Sequence, residues 1–207
     1  MKLFEIDLYK FHTNPEILHG YDRADEIVPE RILNIAKYGK KLTDKQEDVL
    51  AKYPKYAYLY TCNILKKRWP KGEDVIAKDP KYAYRYADDI LKKPFPKGED
   101  AIAKDSRYAY YYARDILKKS FPKGEDAIAK DPNCAYWYSY NVLRKPFPRG
   151  EDEIAKNPHY AYIYALNILK KPFPKGEDAI VEDHEFAYEY ARNILKLPED
   201  EARKWPK

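Results

Sequence analysis

The residues with the greatest capacity for chemistry are a few histidines and cysteines and an acidic pair that recurs along the chain. Histidine and cysteine build metal sites and catalytic triads when several of them stand at ligand or nucleophile–base spacing. Such spacing is missing here, so we expect no catalytic residue, no metal site and no cofactor. The residues concerned are His12, His19, His159, His184, Cys62 and Cys134.

The acidic pair reads Glu-Asp and occurs six times. Two adjacent carboxylates could act as a general acid or bind a cation. A group that recurs six times in register is a poor candidate for a single catalytic centre, however, and acidic side chains are favoured at the positive N-terminal end of a helix. We therefore expect the pairs to cap helices, and the chain to be non-enzymatic. The pairs are Glu47-Asp48, Glu73-Asp74, Glu99-Asp100, Glu125-Asp126, Glu151-Asp152 and Glu177-Asp178.

The spacing of these pairs is 26 residues in every case, so most of the chain is a tandem repeat. Regular arrays of short units form solenoids, in which each repeat packs on its neighbours. The sequence therefore predicts an all-α solenoid of six helix-turn-helix repeats with helical caps. The predicted parts are an N-terminal capping segment at 1–44, repeats at 45–70, 71–96, 97–122, 123–148, 149–174 and 175–200, and a C-terminal tail at 201–207.

Each repeat carries the signals of a short helix, a longer helix and a linker, as the second repeat illustrates. Asp79 before Pro80 ends the short helix and caps the longer one, which we expect from about 80 to 92. The lysines and prolines at 92–96 should form a stiff linker. Small alanines at the centre of an apolar stripe predict close packing on both neighbours. The stripe is centred on Ala83, Ala87, Ile90 and Leu91, with Tyr84 on one flank and Tyr82 and Tyr86 on the other.

The flanking segments carry the signals of caps. The segment 29–37 has helical apolar spacing and precedes Gly39, which suits the end of a helix. Thr43 and Gln46 form a potential capping box for the first repeat helix. In the last repeat, His184 and Leu197 replace repeat residues and acidic residues follow Pro198. We expect these segments to cover the two ends of the array.

Comparison of the six copies reveals positions that the architecture leaves free. Three positions of the longer helix vary without chemical restraint, and their i, i+4, i+7 spacing places them on one face. In the third to fifth repeats this variable face carries aromatic, aliphatic and arginine residues, a composition typical of interface centres. We therefore predict a protein-binding patch. Its residues are Arg107, Tyr111, Arg114, Trp137, Tyr140, Ile163 and Leu166.

A basic stripe supports an alternative function. Each of the first five longer helices ends in a basic pair, and stacking of the repeats would align these pairs so that they could follow a phosphate backbone. Lysine at a helix C-terminus also favours the helix dipole, which explains the pairs without any ligand. The alternative is a polyanion- or nucleic-acid-binding solenoid that uses Lys66, Lys92, Lys93, Lys118, Lys119, Arg144, Lys145, Lys170 and Lys171.

Composition narrows the class of protein. The 39 basic and 34 acidic residues are intermixed, so the net charge of +5 produces only a weak field. The apolar fraction of 44% and the 22 tyrosines exclude a disordered chain. No apolar segment is long enough to cross a membrane, and the two cysteines are far apart. We expect a soluble protein of a reducing cytosol, without membrane contact.

Residues 98–113 carry Gly-Glu-Asp-Ala-Ile-Ala-Lys-Asp and then Tyr-Ala-Tyr and Tyr-Ala, with Ser106 where neighbouring copies have proline. This phrase resembles a short tandem helical repeat of uncharacterised proteins from tailed bacteriophages and large DNA viruses. The resemblance extends over the repeats at 45–200. It implies a viral accessory protein that acts in the host cytosol, without implying a particular activity.

Overall fold

The computed structural model describes residues 28–206, which form an all-α repeat solenoid without any strand in that range. The chain divides into two compact units, Met1–Val75 and Ile76–Lys207. The α-helices are α1 (Pro29–Lys37), α2 (Asp44–Leu50), α3 (Pro54–Leu59), α4 (Pro70–Ile76), α5 (Pro80–Arg85), α6 (Glu99–Ile102), α7 (Ser106–Tyr111), α8 (Glu125–Ile128), α9 (Pro132–Tyr138), α10 (Glu151–Ile154), α11 (Pro158–Tyr164), α12 (Pro174–Val181), α13 (His184–Asn193) and α14 (Glu199–Ala202).

In the first unit, α1 caps the first repeat as the sequence predicts. It has the predicted bounds, packs on α2 and α3, and buries Ile32 and Ala36. Gly39 follows with φ +79°, a left-handed conformation that closes the helix. Thr43 and Gln46 form the predicted capping box, with bonds of 3.3 and 2.9 Å. The rest of the predicted capping segment, 1–27, lies outside the described residues.

The longer helices begin where the sequence predicts. The Asp79 carboxylate accepts a hydrogen bond from the Tyr82 backbone N–H at 3.0 Å, so that it caps α5. Aspartate or asparagine caps the four following longer helices in the same way. The capping residues are Asp105, Asp131, Asn157 and Asp183.

The longer helices end close to the predicted residue, since the helix of the second repeat runs to Leu91, but the first five change from α to π geometry before they end. Each π segment is followed by a basic residue with φ between +50° and +53°, a conformation that usually selects glycine. Beyond the change to π geometry, a helical wheel drawn at 100° per residue no longer predicts which side chains are buried. Ile90 and Leu91, predicted at the centre of the stripe, are therefore only half-buried, whereas Tyr86, predicted on a flank, is fully buried. The π segments are Tyr60–Leu65, Tyr86–Leu91, Tyr112–Leu117, Ser139–Leu143 and Ala165–Leu169.

The predicted linker is only partly a linker. Phe95 is buried against Tyr86, with 5.2 Å between the ring centroids, and Pro96 already begins a 3-10 turn that leads into α6. Gly98 ends this turn close to the preceding repeat. A Cβ atom at Gly98 would lie 2.7 Å from the Ala83 Cβ, so the contact requires a small residue on each side. This confirms the predicted role of the alanines and explains the repeated glycine.

The Glu-Asp pairs stand at the N-terminal ends of their helices, as predicted, and their side chains also make contacts within and between repeats. They lie in the first turn of their helices, but the cap position is Gly98 in α6 and carries no side-chain hydrogen bond. The buried Tyr112 hydroxyl donates to the Glu99 carboxylate at 3.0 Å and accepts from the Phe95 N–H at 2.8 Å. The aspartate instead pairs with a basic residue of the next repeat. These ion pairs are Asp100–Lys123, Asp126–Arg149 and Asp152–Lys175.

The last repeat ends in α14 and a short extension. Ala202 is buried, and the Trp205 ring lies against Tyr190 with 5.3 Å between their centroids. Trp205 therefore covers the sixth buried tyrosine, as Phe95 covers Tyr86 in the second repeat.

Candidate functional site

In the second unit, a second tyrosine of the longer helix links its repeat to the next one at four successive interfaces. The Tyr84 hydroxyl donates to the Asp115 carboxylate at 2.9 Å, whereas the Tyr110 hydroxyl accepts from the Asn141 amide at 2.7 Å. A tyrosine hydroxyl can donate or accept, so aspartate and asparagine are interchangeable at this position. Asparagine occupies it in the last three repeats, where it bonds to Tyr110, Tyr136 and Tyr162.

One position, which we call the ring position, covers this tyrosine with an aromatic ring from the following repeat. The ring centroids are 5.9 Å apart in the pairs Tyr84–Tyr108, Tyr136–Tyr160 and Tyr162–Phe186. In the fourth repeat the ring position holds Cys134 instead. Among the described residues, Tyr110 therefore receives no ring from the next repeat, and the Arg114 guanidinium of its own helix lies 5.1 Å from its centroid.

A groove opens at this interface between the third and fourth repeats. Its volume is about 540 Å³, and it contains four of the seven residues predicted to bind a partner. A cysteine at the ring position occupies less space than a tyrosine, which accounts for the groove lying here. The lining residues are Arg107, Tyr110, Tyr111, Arg114, Asp131, Asn133, Cys134, Trp137 and Asn141.

The remaining three predicted residues do not line the groove. Trp137 is 37% exposed and contacts Tyr140, which is 47% exposed, with their ring centroids 5.8 Å apart. Tyr140 thus extends the aromatic surface beside the groove. Ile163 and Leu166 are half-buried and do not line it. Four of the seven predicted residues thus line the groove, and Tyr140 adjoins it through Trp137.

Charge in the groove comes mainly from two arginines. Arg114 donates to both oxygens of Asp115, at 2.6 and 2.9 Å, and to the Tyr110 hydroxyl at 3.3 Å. These bonds raise the pKa of Arg114. Burial alone would raise the pKa of Asp115, but hydrogen bonds from Arg114 and Tyr84 lower it below its usual value. Arg107 is exposed and has no ion pair among the described residues.

Cys134 forms the floor of the groove and is suited to packing, not to nucleophilic chemistry. Burial and the nearby Asp131 carboxylate raise the pKa of its thiol to about 12. The thiol is therefore protonated at neutral pH, whereas a reactive cysteine requires the thiolate. Sequence reasoning treated Cys134 as a structural residue. The sequence shows that this position is aromatic in the other five repeats, but it does not show that the missing ring opens a groove.

The basic stripe is exposed along its whole length. None of its nine residues forms an ion pair within the described part of the chain, in contrast to Lys123, Arg149 and Lys175. Two stripe residues, Lys118 and Arg144, line a second concavity of about 520 Å³. Arg114 and Asn141 line both this concavity and the groove. The two candidate sites, which the sequence suggested separately, meet at these residues.

Other candidate chemistry lies outside this region. The His159 ring stacks on Phe186 at 5.4 Å, and the exposed His184 begins α13, while His12 and His19 precede the described residues. Residues 28–206 contain no cluster of His, Cys, Asp and Glu suited to a metal ion. Within that range, no helix combines the length and the hydrophobicity needed to span a bilayer.

Comparisons of the chain with protein-family models, curated proteins and solved structures find no match. The functional proposal therefore depends on the geometry of the groove.

Proposed function

We propose that the protein is a non-enzymatic helical-repeat scaffold that binds a protein partner through the variable face of its longer helices, with the groove as its centre. The observation that carries the proposal is the coincidence of two features at one interface. Cys134 opens the groove where the variable positions are occupied by Tyr111, Arg114 and Trp137. Exposed aromatic side chains beside arginine are the residues that dominate binding energy at protein interfaces.

The frame beneath the groove supports binding without rearrangement. Asn141 holds Tyr110 across the interface at 2.7 Å, and the Tyr138 hydroxyl accepts from the Phe121 N–H at 2.8 Å. Residues held in this way lose little conformational freedom when a partner binds, which favours affinity. Resemblance of the repeat to viral proteins extends the proposal to an accessory protein that acts on a host factor in the cytosol.

The test is the double variant Trp137→Arg with Ile163→Glu, which uses residue types found at the same repeat position as Arg85 and Glu189. The fold should be retained, while loss of a central aromatic anchor should weaken binding by about 2 kcal/mol or more. The measurements are thermal unfolding and capture of proteins from a host extract. Arg85→Glu, at the same helix position outside the groove, is the matched control and should capture the partner normally. Unfolding of the double variant would contradict the exposure of this face.

The basic stripe supports the alternative, a polyanion-binding solenoid, because its exposed cations lack carboxylate partners. Replacing Lys92, Lys93, Lys118 and Lys119 with glutamine tests it. If only this variant loses its captured ligand, and the ligand is sensitive to nuclease and to salt, the polyanion function replaces the protein-binding one.

A further inference from the structure

We infer that the groove takes an acidic peptide segment that inserts one aromatic side chain; this inference rests on the proposed function of the groove. Two features lie side by side: a position without its usual ring, and a concavity lined by three cations, of which Lys118 and Arg144 form no ion pair in the described structure and Arg114 pairs with Asp115.

The aromatic part of the ligand follows from the ring position. At three other interfaces of the second unit, this position supplies a ring that packs at 5.9 Å on the tyrosine of the preceding repeat. Cys134 has no ring, but planar groups still surround its position. They are Tyr111, Trp137 and the Arg114 guanidinium. Rings and guanidinium planes favour stacked or edge-to-face aromatic partners. A phenylalanine or tyrosine of a partner suits these walls.

The acidic part follows from the charges. Four cations, Arg107, Arg114, Lys118 and Arg144, line the groove and the adjoining concavity. The one lining carboxylate, Asp131, accepts the Cys134 backbone N–H at 2.8 Å as the cap of α9. Arg114 uses three of its five N–H groups within the protein, so two remain for a ligand. Hydrogen bonds from arginine or lysine to a carboxylate are charge-assisted and stronger than those between neutral groups, so an acidic segment suits this lining.

The distribution of aromatic residues favours a peptide over a nucleic acid. Surfaces that bind single strands present successive stacking platforms along the path of the strand. Here the position of Trp137 holds Tyr111 in the preceding repeat, but Arg85, Ile163 and Glu189 elsewhere in the second unit. Because aromatic side chains occupy this position only in two neighbouring repeats of the second unit, they suit a short peptide segment better than a long strand.

The experiment measures binding of a short fluorescent peptide that has one phenylalanine between glutamates. Its counterparts have alanine in place of phenylalanine, or glutamine in place of glutamate, and labelled oligothymidylate represents nucleic acid. The peptide with phenylalanine and glutamates should bind at least about tenfold more tightly than either counterpart, because one counterpart lacks the aromatic ring and the other lacks the carboxylates.

Protein variants locate the binding. Cys134→Tyr installs the residue that four other repeats have at this position, so it should fold and abolish binding of the peptide. The double variant Lys118→Gln with Arg144→Gln should lower the affinity for the peptide at least about tenfold and reduce the salt dependence of binding. Lys92→Gln with Lys170→Gln changes the same repeat positions outside the groove and should leave binding unchanged. If Cys134→Tyr does not fold, Trp137→Arg takes its place.

Three outcomes would overturn the inference: the peptide does not bind, its binding survives both groove variants, or oligothymidylate binds more tightly than the peptide. The proposed function has a separate readout, which is partner capture by the wild-type protein and its loss in Cys134→Tyr. Capture that depends on the groove, without binding of the acidic peptide, would preserve the proposed function and reject only this ligand chemistry.

Discussion

At the scale of single residues, the buried tyrosine of each longer helix organises the array. The Tyr138 hydroxyl donates to Glu125 at 3.0 Å and accepts from the Phe121 N–H at 2.8 Å, while its ring lies 5.2 Å from Phe147. One side chain thus satisfies a buried backbone donor, a carboxylate and an apolar contact. The same three kinds of partner surround Tyr112 and Tyr164, and tyrosine occupies this position in all six repeats.

The first residue-scale prediction concerns Tyr138→Phe. The change leaves the buried Phe121 N–H without an acceptor and Glu125 without its donor, which should lower the free energy of unfolding by about 1–3 kcal/mol. Denaturant unfolding measures the difference. The control is Tyr140→Phe, whose hydroxyl is exposed and makes no hydrogen bond in the described structure, so its effect should stay within about 0.5 kcal/mol.

The Tyr138→Phe variant should also change how the free energy of unfolding depends on pH. Burial raises the pKa of Tyr138 above its ordinary value of 10.0. As the pH rises past that value, the unfolded chain loses this proton before the folded protein does, so stability falls with increasing pH. Phenylalanine does not titrate, and the variant should therefore lose stability less steeply above pH 10, by up to about 1.4 kcal/mol per pH unit. Equal slopes for parent and variant would contradict the raised pKa.

Sequence comparison identified these tyrosines as fixed, but it could not assign their partners. The position of a tyrosine in the apolar stripe predicts that its ring is buried, but it does not predict its hydrogen bonds. The Tyr112 hydroxyl bonds to Glu99 on the short helix, 13 residues earlier, and to Phe95 in the linker, 17 residues earlier. That geometry depends on how the helices cross. The groove is a similar case, because it results from the absence of a ring at Cys134 and not from the presence of a binding motif.

At the scale of elements, the bounds of the longer helices were predictable, whereas the geometry of their last turns was not. Aspartate or asparagine at the cap position fixes the start through a local hydrogen bond. The change from α to π geometry after Arg85 has no comparable local signal, and apolar spacing at 3.6 residues per turn does not reveal it. The left-handed residue that follows is lysine or arginine, where glycine is the usual indicator of such an end.

The element-scale prediction follows from that left-handed residue. Lys170 has φ +53°, which glycine adopts without the steric penalty of a side chain. Lys170→Gly should raise the free energy of unfolding by about 0.5–1 kcal/mol, after allowance for the greater freedom of glycine in the unfolded chain. Lys171→Gly changes the neighbouring residue, whose φ is not positive, and should be neutral or destabilising. A lower denaturation midpoint for Lys170→Gly than for the parent would refute the argument.

At the scale of the whole molecule, the contacts of the second unit connect each repeat to its neighbour in a fixed register. Hydrogen bonds from Asn141, Asn167 and Asn193 all span 31 residues, and the ion pairs of Arg149 and Lys175 both span 23. Consecutive repeats of the second unit therefore use equivalent residues for these bonds, although the ring is missing between the third and fourth repeats. The tandem pattern in the sequence was sufficient to predict this modular architecture, because each repeat depends on its neighbours alone.

The last prediction uses this modularity to separate folding from binding. Deletion of residues 123–148 removes the fourth repeat and joins the third to the fifth, so that Tyr110 meets Asn167 in place of Asn141 and Tyr160 occupies the ring position beside it. The shortened protein should fold into an array of five repeats, but without Cys134 and Trp137 it should no longer bind the partner.

The matched deletion of residues 149–174 removes the same number of residues and joins the fourth repeat to the sixth. It preserves the groove while it removes Ile163 and Leu166, so both folding and binding should be retained. Circular dichroism with thermal unfolding, together with partner capture, distinguishes the two proteins. Full capture by both proteins would exclude the groove as the binding site. Loss of capture by both would show that the partner also requires the fifth repeat, where the sequence pattern had suggested Ile163 and Leu166.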